Sequence, residues 1–454
     1  MAITQRVLSE GPVAGIHEAR AMNYCKRCCY PENGQPTIIF DEEGVCSGCR
    51  YHESRENLET DWEQREKILE QILDDARRRT RKKGAVYDCI IPVSGGKDSH
   101  FQTWLMTKKY GLNPLLVAFN HCLNNPSGTR NLENLVSQSG CDLIRITPGL
   151  HSVRKISRYM LERVGDLTWH YHAGIYTVPF QVAVQMDIPL IIWGEHGYAE
   201  LTGMFSLEDF VEFTRWTRKE YDMRGLEVED VANSPDNDIT WADMAPYIFP
   251  TDEDIERIDV RGIYLSNFID WDAKAQTELM MAEWNFAPVT YKRDRTFNLF
   301  SHIEDHANDV HDYLKFLKFG YGRGTDAASR EIRLGRLTRE EAVELVREYD
   351  PHEPSTLETY LEFLEITREQ FYRLVDRQRD PRIWEKDGHG EWRLKDAIYR
   401  QEMDEGHERV RPALLKGDHI FAPHNRQLFY NPANPPQPSG DWRLDQKPMK
   451  FQVL

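Results

Sequence analysis

The sequence predicts an α/β protein: a parallel sheet flanked by helices, with a small cysteine-rich module in front and a helical region behind. Three observations predict it. Between Tyr87 and Trp193, short apolar runs alternate with segments of helical period, as in a parallel sheet covered on both faces. Two Cys-x-x-Cys pairs precede that stretch. Helix start signals crowd the chain that follows it, at Thr338-x-x-Glu341, Ser355-x-x-Glu358 and Thr367-x-x-Gln370. With 454 residues there is length for two or three domains.

The elements can be justified in order. Residues 1–22 read as an N-terminal extension without the apolar core or small-residue cleavage site of a secretion signal. No apolar run approaches the roughly 18–20 residues that span a bilayer, so the expectation is a cytoplasmic protein with no membrane partner. Residues 23–55 hold Cys25-x-x-Cys28 and Cys46-x-x-Cys49, seventeen residues apart. Each pair offers two sulfurs at one corner and two pairs complete a tetrahedron, the outline of a zinc ribbon around structural Zn²⁺. Cys29 is a spare ligand, and spacing favours Cys28. The intervening PTIIFDEEG reads as a short hairpin. Residues 56–84 form a helical linker, with Trp62, Ile68, Leu69, Ile72 and Leu73 on one stripe and Gly84 as its stop.

The central domain spans 85–330. Strands are expected at Tyr87–Val93, Leu115–Phe119, Asp142–Ile146, Pro189–Trp193 and Gly262–Ile269, with helices between. An acidic, aromatic insertion at about 200–260 looks like a lid over the strand ends. A helical region follows over 331–414, then an irregular Pro- and Asn-rich tail over 415–454.

Chemistry concentrates after the first strand, in Ser94-Gly95-Gly96-Lys97-Asp98-Ser99. Paired glycines let the backbone approach a phosphate, and the following helix N-terminus adds partial positive charge. Ser94 and Ser99 supply hydroxyls, Lys97 a mobile cation, and Asp98 a carboxylate suited to Mg²⁺. The spacing is not that of a Walker A loop. Gly194 and Glu195 close a strand whose carboxyl end faces the same side of the sheet, so Glu195 is placed to reach Mg²⁺ or a reacting nitrogen. Farther on, Lys315, Lys318 and Arg323 are candidates for holding phosphates or another anionic ligand. Tyr321 and Arg323 are expected to be exposed on a glycine-rich loop, FGYGRGTD. His302 with His306, and Asp305 with Asp309, are four apart and are read as one hydrogen-bonded helix face rather than a second metal site.

The SGGxDS loop in its strand–loop–helix setting resembles the PP-loop ATP pyrophosphatases, adenine nucleotide alpha hydrolase-like proteins that activate an oxygen with ATP and release pyrophosphate. That resemblance implies ATP and Mg²⁺, and implies backbone contacts to adenine where Phe119 and Asn120 close the second strand. Combined with the front ribbon, the WGE strand end and the segment from His302 to Asp350, the chain resembles the N-acetyl sugar amidotransferases of bacterial polysaccharide and nonulosonic-acid pathways. The resemblance covers about Asn23–Asp350. It implies an acetamido-sugar substrate, conversion of acetamido to acetamidino, and ammonia from a separate glutaminase subunit. Lys97, Asp98, Glu195 and Lys318 are then the expected catalytic groups.

Composition narrows the alternatives. A formal net charge of −17 argues against nucleic acid as a partner. Eight cysteines in so long a chain do not make a disulfide scaffold. Cys89, Cys122 and Cys141 lie in apolar segments and no glutaminase elbow accompanies them. The main rival is a PP-loop tRNA-modifying enzyme of thiolase or lysidine type, and a lesser one is a non-catalytic nucleotide sensor. A homo-oligomer is compatible with the sequence, which does not specify one.

Overall fold

The computed structural model describes residues 22–56, 60–232 and 234–400. The predicted tail at 415–454 and all but the last residue of the N-terminal extension lie outside these. The four-cysteine segment leads into α1 (Ser47–Glu56) and α2 (Trp62–Lys83). Asp61 caps α2 by accepting from the Gln64 N–H, and Gly84 ends it in the left-handed conformation. Its inward stripe is Leu69, Leu73 and Ala76, close to the predicted one. The predicted hairpin in the ribbon is reduced to single antiparallel bridges, Tyr24 with Pro31 and Phe40 with Cys46.

Five strands follow: β1 (Cys89–Pro92), β2 (Pro114–Phe119), β3 (Leu143–Ile146), β4 (Leu190–Trp193) and β5 (Arg261–Tyr264). They form one parallel sheet in the order β3-β2-β1-β4-β5, with Ile90 opposite Leu115 and Ile191 opposite Gly262 in register. Successive residues of a strand face opposite ways, so each strand feeds two cores. Cys89, Ile91, Leu116 and Ile192 pack with α2, α3 (Lys97–Trp104) and the later helix Ala273–Trp284, while Ile90, Leu115, Val117 and Ile191 pack on the other face. That second face is covered by α5 (Leu150–Val164), α6 (Trp169–Met186) and the insertion; α4 (Pro126–Ser139) sits with the first. Near-continuous apolar strands of this kind are the mark of a buried parallel sheet.

After β4 comes the short α7 (Gly197–Thr202), and the insertion forms brief helical turns against α6. The predicted fifth strand is shorter than expected, because the chain turns tightly at Leu265–Asn267. Beyond α8 (Ala273–Trp284) lie α9 (Ala307–Phe319), α10 (Arg323–Arg333), α11 (Arg339–Tyr349), α12 (Leu357–Leu364) and α13 (Arg368–Val375). Capping boxes form at Thr338 and Thr367. The one expected at Ser355 does not: the Ser355 N–H donates to Asp294 Oδ2, and Thr356 takes the cap position. The helical region also ends in an unpredicted antiparallel pair, β6 (Trp384–Lys386) with β7 (Trp392–Leu394). The ribbon is no appendage, since its cysteines share a core with Ile332 of α10 and Val343 and Val346 of α11. Among the described residues no helix is long and apolar enough to cross a membrane.

Candidate active site at the sheet switch point

Strand order reverses between β1 and β4, and the crevice above such a point is where open α/β sheets bind ligands. The loop after β1 is shaped by its glycines. Gly95 has φ +87°, and a Cβ there would lie 2.7 Å from the Leu132 backbone nitrogen of α4. Ser94 N–H donates to Ser99 Oγ at 3.0 Å, and Gly96 N–H to Ser94 Oγ at 3.3 Å, closing the loop on itself. Helix α3 starts at Lys97, directly after the paired glycines, with Gly96 at its cap. Lys97 and Asp98 therefore occupy its first turn, where they form an ion pair. Gly95→Ala should introduce about 1–3 kcal/mol of backbone strain and push the loop off α4. A lowered melting temperature together with slower ATP turnover is the expected result.

A cavity of about 510 Å³ opens from this loop. Ser94, Lys97, Asp98, Gly194, Glu195, Lys315, Lys318 and Arg323 all line it, so residues far apart in sequence meet in one chamber. Gly194 leaves room for the Gln102 amide, which a Cβ would approach to 2.1 Å. Glu195 pairs with Arg330 of α10. Lys315 donates to both carboxylate oxygens of Asp326 at 2.7 and 2.8 Å, and Arg323 pairs with Asp312 at 2.9 Å. Lys318 donates to the Gly165 carbonyl at 2.8 Å, and among the described residues it has no carboxylate partner. Burial pushes its ammonium down to about 8, with Arg224 and Lys315 adding to the effect and Asp166 opposing it.

Several sequence expectations need correcting. The Phe119 ring packs on Gly174 of α6 and on Tyr247, and the Asn120 N–H continues the ladder to the Ile146 carbonyl, so it is the backbone at this strand end, not the Phe119 ring, that the adenine proposal concerns. Tyr321 is buried rather than exposed: its hydroxyl accepts from the Gln35 N–H at 2.6 Å and its ring packs on Tyr30. FGYGRGTD is not an open loop but a sharp break between α9 and α10, with Gly320 ending one helix and Gly322 capping the next. His302 and His306 share no helical face, because α9 begins only at Ala307 and His302 has φ +54°.

Sequence reasoning missed other wall residues. Arg330, from α10, carried no signal beyond an i,i+3 pattern of arginines. Asp222 and Arg224 arrive from the insertion, which makes a side wall of the cavity. His172 and Tyr176 come from the early turns of α6, and Gln35 and Pro36 from the ribbon itself.

The four cysteines form a separate centre. Their sulfurs lie within 4.8 Å of one another, with Cys25–Cys49 at 3.9 Å and Cys28–Cys46 at 3.6 Å. A tetrahedron of thiolates about 2.3 Å from a central ion has edges of about 3.8 Å, so the set fits a metal. Cys28 belongs to it and the buried Cys29 does not; the Cys29 N–H donates instead to Ser329 Oγ of α10. Arg333 Nη2 lies 3.5 Å from Cys46 Sγ and 3.8 Å from Cys28 Sγ. A bound dication leaves four thiolates with excess negative charge, which this buried guanidinium offsets. Among the described residues no other cluster of ligand groups fits a metal ion.

Comparison with known proteins finds likenesses over parts of the chain. Residues 291–399 match the family model described as "LPS biosynthesis protein WbpG-like, C-terminal domain". The matched stretch holds α9 and α10 and thus one side of the cavity. An uncharacterized protein of Methanocaldococcus jannaschii is 26% identical over 156 residues, 32% of this chain, and the match spans about half (54%) of that relative's length. Among solved structures, an NH3-dependent NAD synthetase from Campylobacter jejuni aligns with 33% of this chain and 62% of its own, at 16% identity and a TM-score of 0.24. An NMN synthetase from Francisella tularensis aligns with 44% and 92%, at 14% identity and a TM-score of 0.24.

Proposed function

We propose that this chain, with its SGGKDS loop after the first strand of a parallel sheet and its match to a WbpG-like domain model over residues 291–399, is an ATP-dependent amidotransferase of surface-polysaccharide synthesis. It converts the acetamido group of a bacterial sugar, a nonulosonic acid or a related acetamido sugar, into acetamidino. The observation that carries this reading is the single cavity: the phosphate loop and the helices of the WbpG-like domain face one chamber.

The acetamido oxygen attacks the α-phosphate of ATP, the α–β bridging P–O bond breaks, and pyrophosphate leaves. The oxygen is now a phosphate ester, so ammonia can attack the same carbon and expel AMP. Alignment of oxygen and phosphorus, and neutralisation of the departing pyrophosphate, are what the protein must supply. Lys97 and the first-turn amides of α3 supply the positive field. Asp98 Oδ1 is buried without a hydrogen-bond partner among the described residues, which suits a ligand to Mg²⁺. That ion, when bound, adds charge neutralisation on the phosphates. Glu195 holds Arg330 in an ion pair on the cavity wall. Lys318 is the best placed cation for an anionic part of the sugar, with Lys315 and Arg323 fixed beside it by their aspartates.

All eight cysteines fall in the described residues and all are buried, and burial raises the Cys89, Cys122 and Cys141 thiols. That supports an outside source of ammonia, which we assign to a separate glutaminase. Structural Zn²⁺ in the ribbon completes the cofactor set, and a cytoplasmic location suits an enzyme that draws on ATP. The test is pyrophosphate and AMP release with ammonium, across free and nucleotide-linked acetamido sugars and bulk tRNA. A sugar product lighter by the exchange of O for NH is expected; release driven only by tRNA would overturn the proposal in favour of a tRNA-modifying enzyme.

A further inference from the structure

Five carboxylates line the cavity: Asp98, Glu195, Asp222, Asp326 and Glu331. Four are held by cations, namely Lys97, Arg330, Lys315 and Arg336. A carboxylate fixed in an ion pair is a poor proton acceptor, because protonation would give up the pair. Asp222 alone of the five forms no ion pair among the described residues. Its partner is a neutral phenol, the Tyr198 hydroxyl, which donates to Oδ1 at 2.5 Å.

The placement of this dyad is specific. Tyr198 stands on α7, four residues after the Gly194 that ends β4, and Asp222 closes a wide helical turn, Arg218–Asp222, in the insertion. Both line the cavity. Around Asp222 stand Arg218 and Arg224 on the insertion, Tyr176 on α6 and Tyr264 on β5, besides Tyr198 itself. Arg218 is engaged by Glu227 and Arg224 by Asp166, so neither neutralises Asp222 by contact.

We propose that Asp222 is the proton acceptor for the attacking ammonia, with Tyr198 as its positioning residue. This rests on the amidotransferase reading above. Ammonia's lone pair forms the C–N bond to the adenylated carbon, giving a tetrahedral adduct whose new nitrogen carries three hydrogens and a positive charge. The Asp222 carboxylate takes one of those protons. The C–O bond then breaks with its electron pair leaving on the phosphate oxygen of AMP, and the amidinium product keeps a single positive charge. Asp222 returns its proton to solvent. Burial raises its carboxyl to about 7, while the Tyr198 hydrogen bond and the charges of Arg224 and Arg218 oppose that rise. A base poised near working pH is the efficient one.

The two half-reactions separate the assignment from its premise. The probe is whichever acetamido sugar of the panel drives pyrophosphate release. Exchange of labelled pyrophosphate into ATP reports adenylation, and amidine formation reports the ammonia step. Asp222→Asn should retain sugar-dependent exchange while amidine formation falls about 100- to 10,000-fold, the usual contribution of a general base. Amidine formation at the wild-type rate would overturn the assignment. Tyr198→Phe keeps the ring but removes the donor to the carboxylate. The acid limb of its amidination profile should therefore move to higher pH, and a profile superimposable on wild type would also overturn it. If no sugar drives exchange in the wild-type protein, the amidotransferase reading fails and takes this assignment with it.

Discussion

Replacing Asp98 by Asn should reduce ATP-dependent pyrophosphate release on the order of 100- to 1,000-fold, the loss typical when one preorganised electrostatic partner is removed. The side chain keeps its shape, so the loop that Ser94, Gly96 and Ser99 hold together is preserved. What is lost is charge. Oδ2 no longer pairs with Lys97, and Oδ1, buried and without a hydrogen-bond partner among the described residues, no longer offers a hard anionic ligand to Mg²⁺. The effect should fall on turnover more than on folding, and excess Mg²⁺ should restore part of it. Pyrophosphate release at varied Mg²⁺, with a melting curve beside it, checks both parts. Unchanged turnover at limiting Mg²⁺ would contradict the role given to Asp98.

Removing the metal proposed for the four-cysteine centre should be as damaging, and by a different route. Binding of structural zinc is worth about 10–16 kcal/mol in small peptides, as much as the whole stability of a typical domain. The ribbon grips the cavity wall at several points: Arg333 against Cys28 and Cys46, Cys29 against Ser329, and Tyr30 Oη donating to Asp326 Oδ1 at 2.6 Å. Asp326 in turn holds Lys315, and α10 carries Arg323 and Arg330. A strong chelator should therefore lower the melting temperature steeply and abolish turnover together. Arg333→Met leaves all four thiols in place but takes away the buried charge beside them, a change expected to cost about 3–5 kcal/mol. Metal content after dialysis and the melting temperature check this. A chelated protein with an unchanged melting curve would show that the ribbon stands without metal.

The sequence was most informative where local rules decide structure. The SGGKDS loop, the two Cys-x-x-Cys pairs and the alternating apolar runs each carry their geometry in a few adjacent residues, and each appears where expected. Signals failed where a residue's setting depends on distant partners. Tyr321 reads as a loop residue, yet Gln35 and Tyr30 from the ribbon bury it. Asp222, the unpaired carboxylate of the cavity, lies in a stretch with no motif, and only the folded insertion sets it beside Tyr198. The β6–β7 pair is a different case, since its Asp387-Gly388 turn signal lies between two short tryptophan-containing runs and is legible in the sequence.

In the proposed reaction ATP activates an acetamido oxygen, which ammonia then displaces. The most direct measurement uses an acetamido sugar labelled with heavy oxygen at its carbonyl, incubated with enzyme, ATP, Mg²⁺ and ammonium. The label should leave the sugar and appear in the phosphate of AMP, one labelled atom for each acetamidino group formed. Label retained in the sugar, or found in pyrophosphate or water while AMP stays unlabelled, would contradict it.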